Sequence, residues 1–131
     1  MAVDADVCIY AVSPTPWTSD VRRMLAEADE LVGSVLLPVE VLAKPLRTGA
    51  VREGESLQAL LRRIRLLDLT LPIAALATTL AAEQGLHAAD AVHLATAVEA
   101  LADVFLTNNR SDFDRISLDR PTIAFPRTLS S

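Results

Sequence analysis

The sequence predicts an α/β domain of three layers, with a central parallel sheet covered by helices on both faces. Three observations carry this. Strand-like and helix-like segments alternate along the chain. The strand-like ones are short continuous apolar runs, as buried parallel strands require, and do not alternate apolar with polar. The 131 residues suit one domain, taken as 1–131. Just over half of them are apolar (51%) while only 4% are aromatic, so a core of Ala, Leu and Val is expected and a disordered chain is excluded.

The opening, Met1 to Ala11, is β-prone around Val3 and continues through Val7, Cys8 and Ile9 until Ser13-Pro14-Thr15-Pro16 breaks it. Thr18 or Ser19 offers an N-cap to a helix carrying Val21, Met24, Leu25 and Ala28 at helical spacing. Leu31 to Leu37 holds Gly33 and Ser34 and suits a buried strand. Pro38 fits the first position of a helix that carries Glu40, runs to about Arg47 and stops at Gly49. The next helix, roughly Gly54 to Arg65, has Leu57, Leu60, Leu61 and Ile64 on one face. A brief strand over Leu66 to Leu69 leads to a helix opened by Pro72 and closed by Gly85. Ala88 to Ala102 forms one more helix, Val104 to Thr107 a strand, and Ile123 to Phe125 the last strand.

Charge and cysteine content narrow the function. Seventeen acidic residues against 12 basic give a net charge of -5, which excludes a strongly cationic nucleic-acid wrapper but not a local basic patch. The single cysteine excludes a disulfide framework and a Cys-based zinc site, and points to a reduced, cytoplasmic protein. Met1 to Val3 leads directly into Asp4 with no secretory pattern. The longest mostly apolar stretch, Leu69 to Ala82, is broken by Pro72, Thr78 and Thr79 and falls short of the ~20 residues of a bilayer span. No membrane is expected.

In a doubly wound sheet, ligands bind outside the carboxyl ends of the strands. Four acids fall where that topology could gather them. Asp4 ends the first strand, Glu40 begins the helix after the second, Asp112 lies just beyond the strand ending at Thr107, and Asp90 stands among apolar neighbours near a helix start. Clustered carboxylates raise one another's pKa unless a cation intervenes, and all-oxygen ligation suits Mg²⁺ or Mn²⁺. Such an ion would polarise a phosphoryl oxygen and generate a water nucleophile, chemistry that needs no catalytic Ser, Cys or His. Each carboxylate taken singly also reads as a helix cap or a solvated loop residue.

At these residues the sequence resembles PIN-domain ribonucleases, and among them VapC-type toxins. Val3-Asp4-Ala5-Asp6-Val7-Cys8-Ile9-Tyr10-Ala11 resembles the opening motif, and Ser34-Val35-Leu36-Leu37-Pro38-Val39-Glu40-Val41 the second. Asp90-Ala91-Val92-His93-Leu94-Ala95-Thr96-Ala97 is similar to the third and most specific motif. Phe105-Leu106-Thr107-Asn108-Asn109-Arg110-Ser111-Asp112-Phe113 resembles the fourth. The resemblance implies a homodimeric Mg²⁺- or Mn²⁺-dependent endoribonuclease that cuts tRNA or ribosomal RNA and is silenced by a cognate VapB-like antitoxin. It makes Asp4, Glu40 and Asp90 metal-binding acids. Asn109 stands where many members carry an Asp, so the fourth acid falls to Asp112, with Asn109 as its hydrogen-bonding neighbour. Ser34 and Thr107 fall at hydroxyl positions able to bond a ligand carboxylate. Only three residues precede Asp4, so the first strand is minimal or the start lies further upstream.

Other residues keep two readings. Asp6 is a second metal contact or a helix cap. His93, three residues after Asp90, either approaches the site or packs between helices. His87 reads as a loop residue, and Cys8 as a buried inert thiol. Arg62, Arg63 and Arg65 form a basic cluster that could meet RNA or simply face solvent, while Arg110, inside the fourth motif, is the better candidate for touching phosphate. Trp17 could stack on a base or pack at an interface. Two rival functions stand beside the nuclease. One is a PIN domain that binds RNA or a partner without cutting. The other is a haloacid-dehalogenase-type phosphatase, suggested by Asp4-Ala5-Asp6 but lacking the closing acidic pair, with Lys44 its sole lysine.

Overall fold

A computed structural model of the chain describes residues 1–128, so the last three positions of the expected 1–131 domain lie outside it. Five strands, β1 (Ala2–Val3), β2 (Leu31–Ser34), β3 (Ile64–Leu67), β4 (Val104–Leu106) and β5 (Thr122–Ala124), form one sheet in the order β3-β2-β1-β4-β5. Every pairing is parallel. The helices are α1 (Ala5–Val12), α2 (Thr18–Glu27), α3 (Leu36–Thr48), α4 (Val51–Arg62), α5 (Leu71–Gln84), α6 (Ala88–Glu99) and α7 (Arg110–Phe113).

Side-chain alternation along the strands creates the three layers. Val3, Leu31 and Leu106 point into a core shared with α1 to α4, where Val7, Val21, Leu37 and Leu57 are buried. Their neighbours Ala2, Val32 and Phe105 point into a second core with α5 and α6, around Ile73, Leu80, Leu94 and Phe113. The expected α/β sandwich is therefore present, and its cores are aliphatic apart from the tilted Phe105–Phe113 pair.

Several boundaries differ from expectation, each for a local reason. Val7, Cys8 and Ile9 lie on α1 and not in the first strand, because the Asp4 carboxylate accepts from Ala5 N–H at 2.8 Å and starts a helix immediately. Neither Thr18 nor Ser19 is a cap. Trp17 takes that place, and Thr18 is the first helical residue, its hydroxyl donating to the Ser13 carbonyl at 2.7 Å. Trp17 itself stacks on Tyr10, with ring centroids 5.3 Å apart.

The third helix begins at Leu36, two residues before Pro38, and carries Pro45 within it. Gly49, in the left-handed region at φ 73°, ends it as expected. Ile64 belongs to β3 and not to the preceding helix, since pairing with Leu31 of β2 draws the chain into the sheet one residue after the α4 C-cap. Thr70 caps α5 by accepting from Ile73 N–H, and Gly85 closes it. The short helix α7 was not anticipated.

Gly33, in β2, lets α3 approach the sheet closely. A Cβ there would stand 2.4 Å from Leu37 Cδ1 and 3.3 Å from Ile64 Cγ2, and Leu37 is wholly buried. Gly33→Ala is therefore expected to destabilise the protein by about 1–3 kcal/mol, because Leu37 must leave its rotamer in a packed core. Urea unfolding measures this; an unchanged midpoint would show that the core yields freely.

Candidate active site

The strand order makes the crevice. From β1 the chain winds outward through β2 to β3, then returns to build β4 and β5 on the other side of β1. The reversal leaves an opening at the carboxyl ends of β1 and β4. Asp4 leaves β1 and Thr107 leaves β4 at this point. The helix α6 runs into β4, so its first turn, with Asp90, lies at the same edge of the sheet.

Asp4 is 4% exposed and its two carboxylate oxygens are fixed separately. Oδ1 accepts from Ala5 N–H, and Oδ2 accepts from the Thr107 hydroxyl at 2.7 Å. Asp6 sits in the first turn of α1 and accepts from Asn108 N–H at 3.0 Å through Oδ2, while its buried Oδ1 has no hydrogen-bond partner. It therefore does not cap the helix; Asp4 does. Burial, followed by the neighbouring Asp4 charge, pushes the Asp6 pKa up from 3.8 to about 7.

Asn109 joins the third and fourth motifs. Its Nδ2 donates to Asp112 Oδ2 at 2.8 Å and, more weakly, to Asp90 Oδ2 at 3.4 Å. The Ser111 hydroxyl donates to Asn109 Oδ1 at 3.1 Å, which fits the orientation of that amide. Desolvation and the charges of Asp4 and Asp112 raise the Asp90 pKa to about 6. Asp112 shifts the other way, lowered first by the Asn109 hydrogen bond.

Glu40, on α3, enters the group through His93. The buried His93 Nε2–H donates to Glu40 Oε1 at 2.5 Å. Burial disfavours the His93 charge, but Glu40, Asp4 and Asp90 outweigh it and raise the pKa. Asp90 thus lies between Asp4 and Asp112 in charge contact with both, Asp6 adjoins Asp4, and Glu40 is tied in at the α3 side. Ser34 is not among them: its Oγ accepts from Leu36 N–H at 3.1 Å and turns the chain into α3.

Arg110 is not aimed at the acids either, because its Nη2 donates to the Pro126 carbonyl at 2.6 Å. Arg62 and Arg63 immediately precede β3, at the opposite edge of the sheet, and Arg65 pairs with Glu30. Of the two readings for this cluster, the solvent-facing one agrees with this placement. Cys8 is buried, its thiol pushed up to about 12 by burial and by Asp4 and Asp6.

His87 was underestimated in the sequence. As the N-cap residue of α6 it places Nδ1 4.0 Å from Asp90 and 3.8 Å from Asp112. The ligand atoms of His87, Asp90 and Asp112 all lie within 4.8 Å of one another. Its position three residues before Asp90, one helical turn away, was the available signal.

The donor set fits a hard cation. Buried and half-buried carboxyls crowd together, two of them hold protons far above the usual range, and the buried Asp6 Oδ1 is one of the carboxylate oxygens left without a partner. A divalent ion would relieve all three conditions.

The sequence model of the PIN domain matches residues 1–118. Among solved structures, the chain is similar to a toxin-antitoxin complex from Klebsiella pneumoniae, with TM-score 0.79 and 21% identity over 98% of each chain. It is similar also to VapBC2 from Rickettsia felis bound to a DNA fragment from their promoter, with TM-score 0.75 and 17% identity over 96% of this chain and 98% of that one. At those identities the likeness is one of fold. No curated protein sequence matches the chain. Among the described residues, no helix is long and apolar enough to cross a membrane.

The Asp6 shift has a signed consequence. Its carboxyl ionises near 3.8 when unfolded and near 7 when folded, so the native state holds the extra proton in between. Stability associated with this group is therefore full below about pH 4 and is lost as pH rises through 7. Asp6→Asn keeps an acceptor for Asn108 N–H and removes the charge. Without added metal, it is expected to raise stability at pH 8 by roughly 2 kcal/mol and to leave pH 4 nearly unchanged. Thermal melts at both pH values decide it; a gain of equal size at each would contradict the assignment.

Proposed function

This chain belongs to the PIN domain family, and we propose that it is a divalent-metal-dependent endoribonuclease, the toxin of a toxin–antitoxin pair. The observation that carries this reading is the convergence of Asp4, Asp90 and Asp112 at the switch point of the sheet, with Glu40 joined through His93. Asp4, Glu40, Asp90 and Asp112 are the proposed ligands and catalytic acids, with Asp6 alongside. A Mg²⁺ or Mn²⁺ ion bound there supplies a Lewis acid for the phosphoryl oxygen and an activated water.

The chain's own residues prepare that site. Thr107 and the α1 N-terminus hold the Asp4 carboxylate in one orientation. Asn109 holds Asp90 and Asp112 side by side while adding no charge of its own. His93 orients Glu40 and, when protonated, offsets part of the local negative charge. Asp90, with its pKa near 6, ionises as pH approaches neutrality, which favours cation binding there.

The proposed substrate is tRNA or ribosomal RNA in the cytoplasm. Both similar structures are toxin–antitoxin assemblies, which supports a VapB-like antitoxin as partner. Exposed Val39, Leu46, Val51 and Leu71 give α3, α4 and α5 apolar surface for a homodimer. The phosphatase alternative loses its basis with the family assignment. The non-cutting alternative rested on the missing charge at Asn109, and the nearness of Asp112 to Asp90 weighs against it.

The test is cleavage of a mixed tRNA and ribosomal RNA pool with Mg²⁺ or Mn²⁺ and with EDTA, comparing the native chain with Asp90→Asn. Discrete fragments are expected with metal, none with EDTA, and a rate lower by about 100-fold or more in the variant. RNA left intact by the native chain with either ion would overturn the reading.

A further inference from the structure

The turn of Arg110 away from the carboxylates creates a second feature. Its guanidinium lies 4.9 Å from the centroid of the Phe125 ring and is pinned by the Pro126 carbonyl. Phe125 directly follows β5, so it lies at the same carboxyl edge of the sheet as Asp4 and Thr107. Together they wall a cleft of about 550 Å³ that reaches α2 and is also lined by Arg23 and Arg127.

Asp20 is the sole acid lining this cleft, and it is occupied on both oxygens. Oδ1 accepts from Arg23 and Oδ2 from the Arg127 backbone N–H at 2.7 Å. Among the described residues the Arg127 guanidinium makes no side-chain hydrogen bond or close ion pair, and its charge lies near enough to Asp20 to help hold that carboxyl's pKa down. In a chain of net charge -5 this is a local reversal of sign, one residue along the chain from Asn109.

We propose that this cleft is a binding subsite for the single-stranded RNA flanking the scissile phosphate, an inference that rests on the nuclease reading of the neighbouring acids. Arg127 and the free donors of Arg110 would take a backbone phosphate, for which a guanidinium fork is suited. The Phe125–Arg110 stack would receive an unpaired base, since bases stack on aromatic rings and on guanidinium planes alike. The overall field repels RNA, so a short cationic surface beside the site is what draws the strand in.

The test uses the Asp90→Asn protein, which isolates binding from cleavage, and reads fluorescence anisotropy of a short labelled single-stranded RNA. Arg127→Gln and Arg110→Gln are each expected to weaken binding about three- to tenfold near ~0.1 M salt and to make the salt dependence shallower by about 0.7 per lost contact. Arg62→Gln with Arg63→Gln, at the opposite edge, is the control and is expected to change neither quantity. Arg127→Gln removes no side-chain hydrogen bond to the described residues, and a thermal melt of each variant checks that the fold is kept. Equal affinity and slope in the cleft variants, or an equal loss in the control, overturns the proposal. Failure of the native chain to cut RNA would instead count against the nuclease reading, because no cleavage enters this measurement.

Discussion

The Asp4–Thr107 hydrogen bond joins the two strand ends on which the rest of the site depends. Asp4 is almost wholly buried, and a carboxylate in that position is tolerated only when hydrogen bonds replace the water it has lost. One oxygen is satisfied by the helix that Asp4 itself starts, the other by a hydroxyl from the neighbouring strand end. Because β1 and β4 are adjacent only through the reversal of strand order, this pair exists only when the sheet is wound as it is. The other acids then gather around a point already fixed.

What surrounds Asp4 is a graded response to crowded negative charge. His93 answers with a hydrogen bond to Glu40 and a raised pKa, Asn109 with a neutral donor shared between two carboxyls, and Asp6 and Asp90 by holding protons to higher pH than an ordinary aspartate. These are three different physical solutions within one crevice, and none of them satisfies the buried Asp6 oxygen. A metal ion would replace the retained protons while leaving the hydrogen bonds of Thr107 and Asn109 in place. The neutral Asn109 suits that role: an aspartate there would add to the crowding and could not donate to its neighbours.

Much of this was legible in the residues. Continuous apolar runs gave the parallel sheet, Gly49 and Gly85 marked helix ends through their left-handed backbone, and the apolar setting of Asp90 set it apart from solvated acids. Local chemistry beyond periodicity escaped. Val7-Cys8-Ile9 carries β propensity, but a capping carboxylate one residue after a two-residue strand overrides it. Ile64 satisfies helical spacing and strand pairing alike, and only the long-range partner Leu31 decides between them. Arg110 could be placed near the acids but not oriented, since its direction is set by Phe125 and Pro126, which arrive from beyond β5. Ser34 was misread for a related reason: a hydroxyl beside a strand end can serve its own backbone as readily as a distant carboxylate.

Asp4 and Thr107 are 103 residues apart in the chain, as are, within one residue, Asp6 and Asn108. Contacts of such separation form after loop closure over nearly the whole polypeptide. During synthesis, at roughly 5–20 residues per second, the amino-terminal half of the molecule emerges and begins to organise well before the β4 segment exists. A growing chain therefore carries Asp4 and Glu40 without the residues that complete the crevice. Topology alone therefore leaves the crevice incomplete until translation is almost finished.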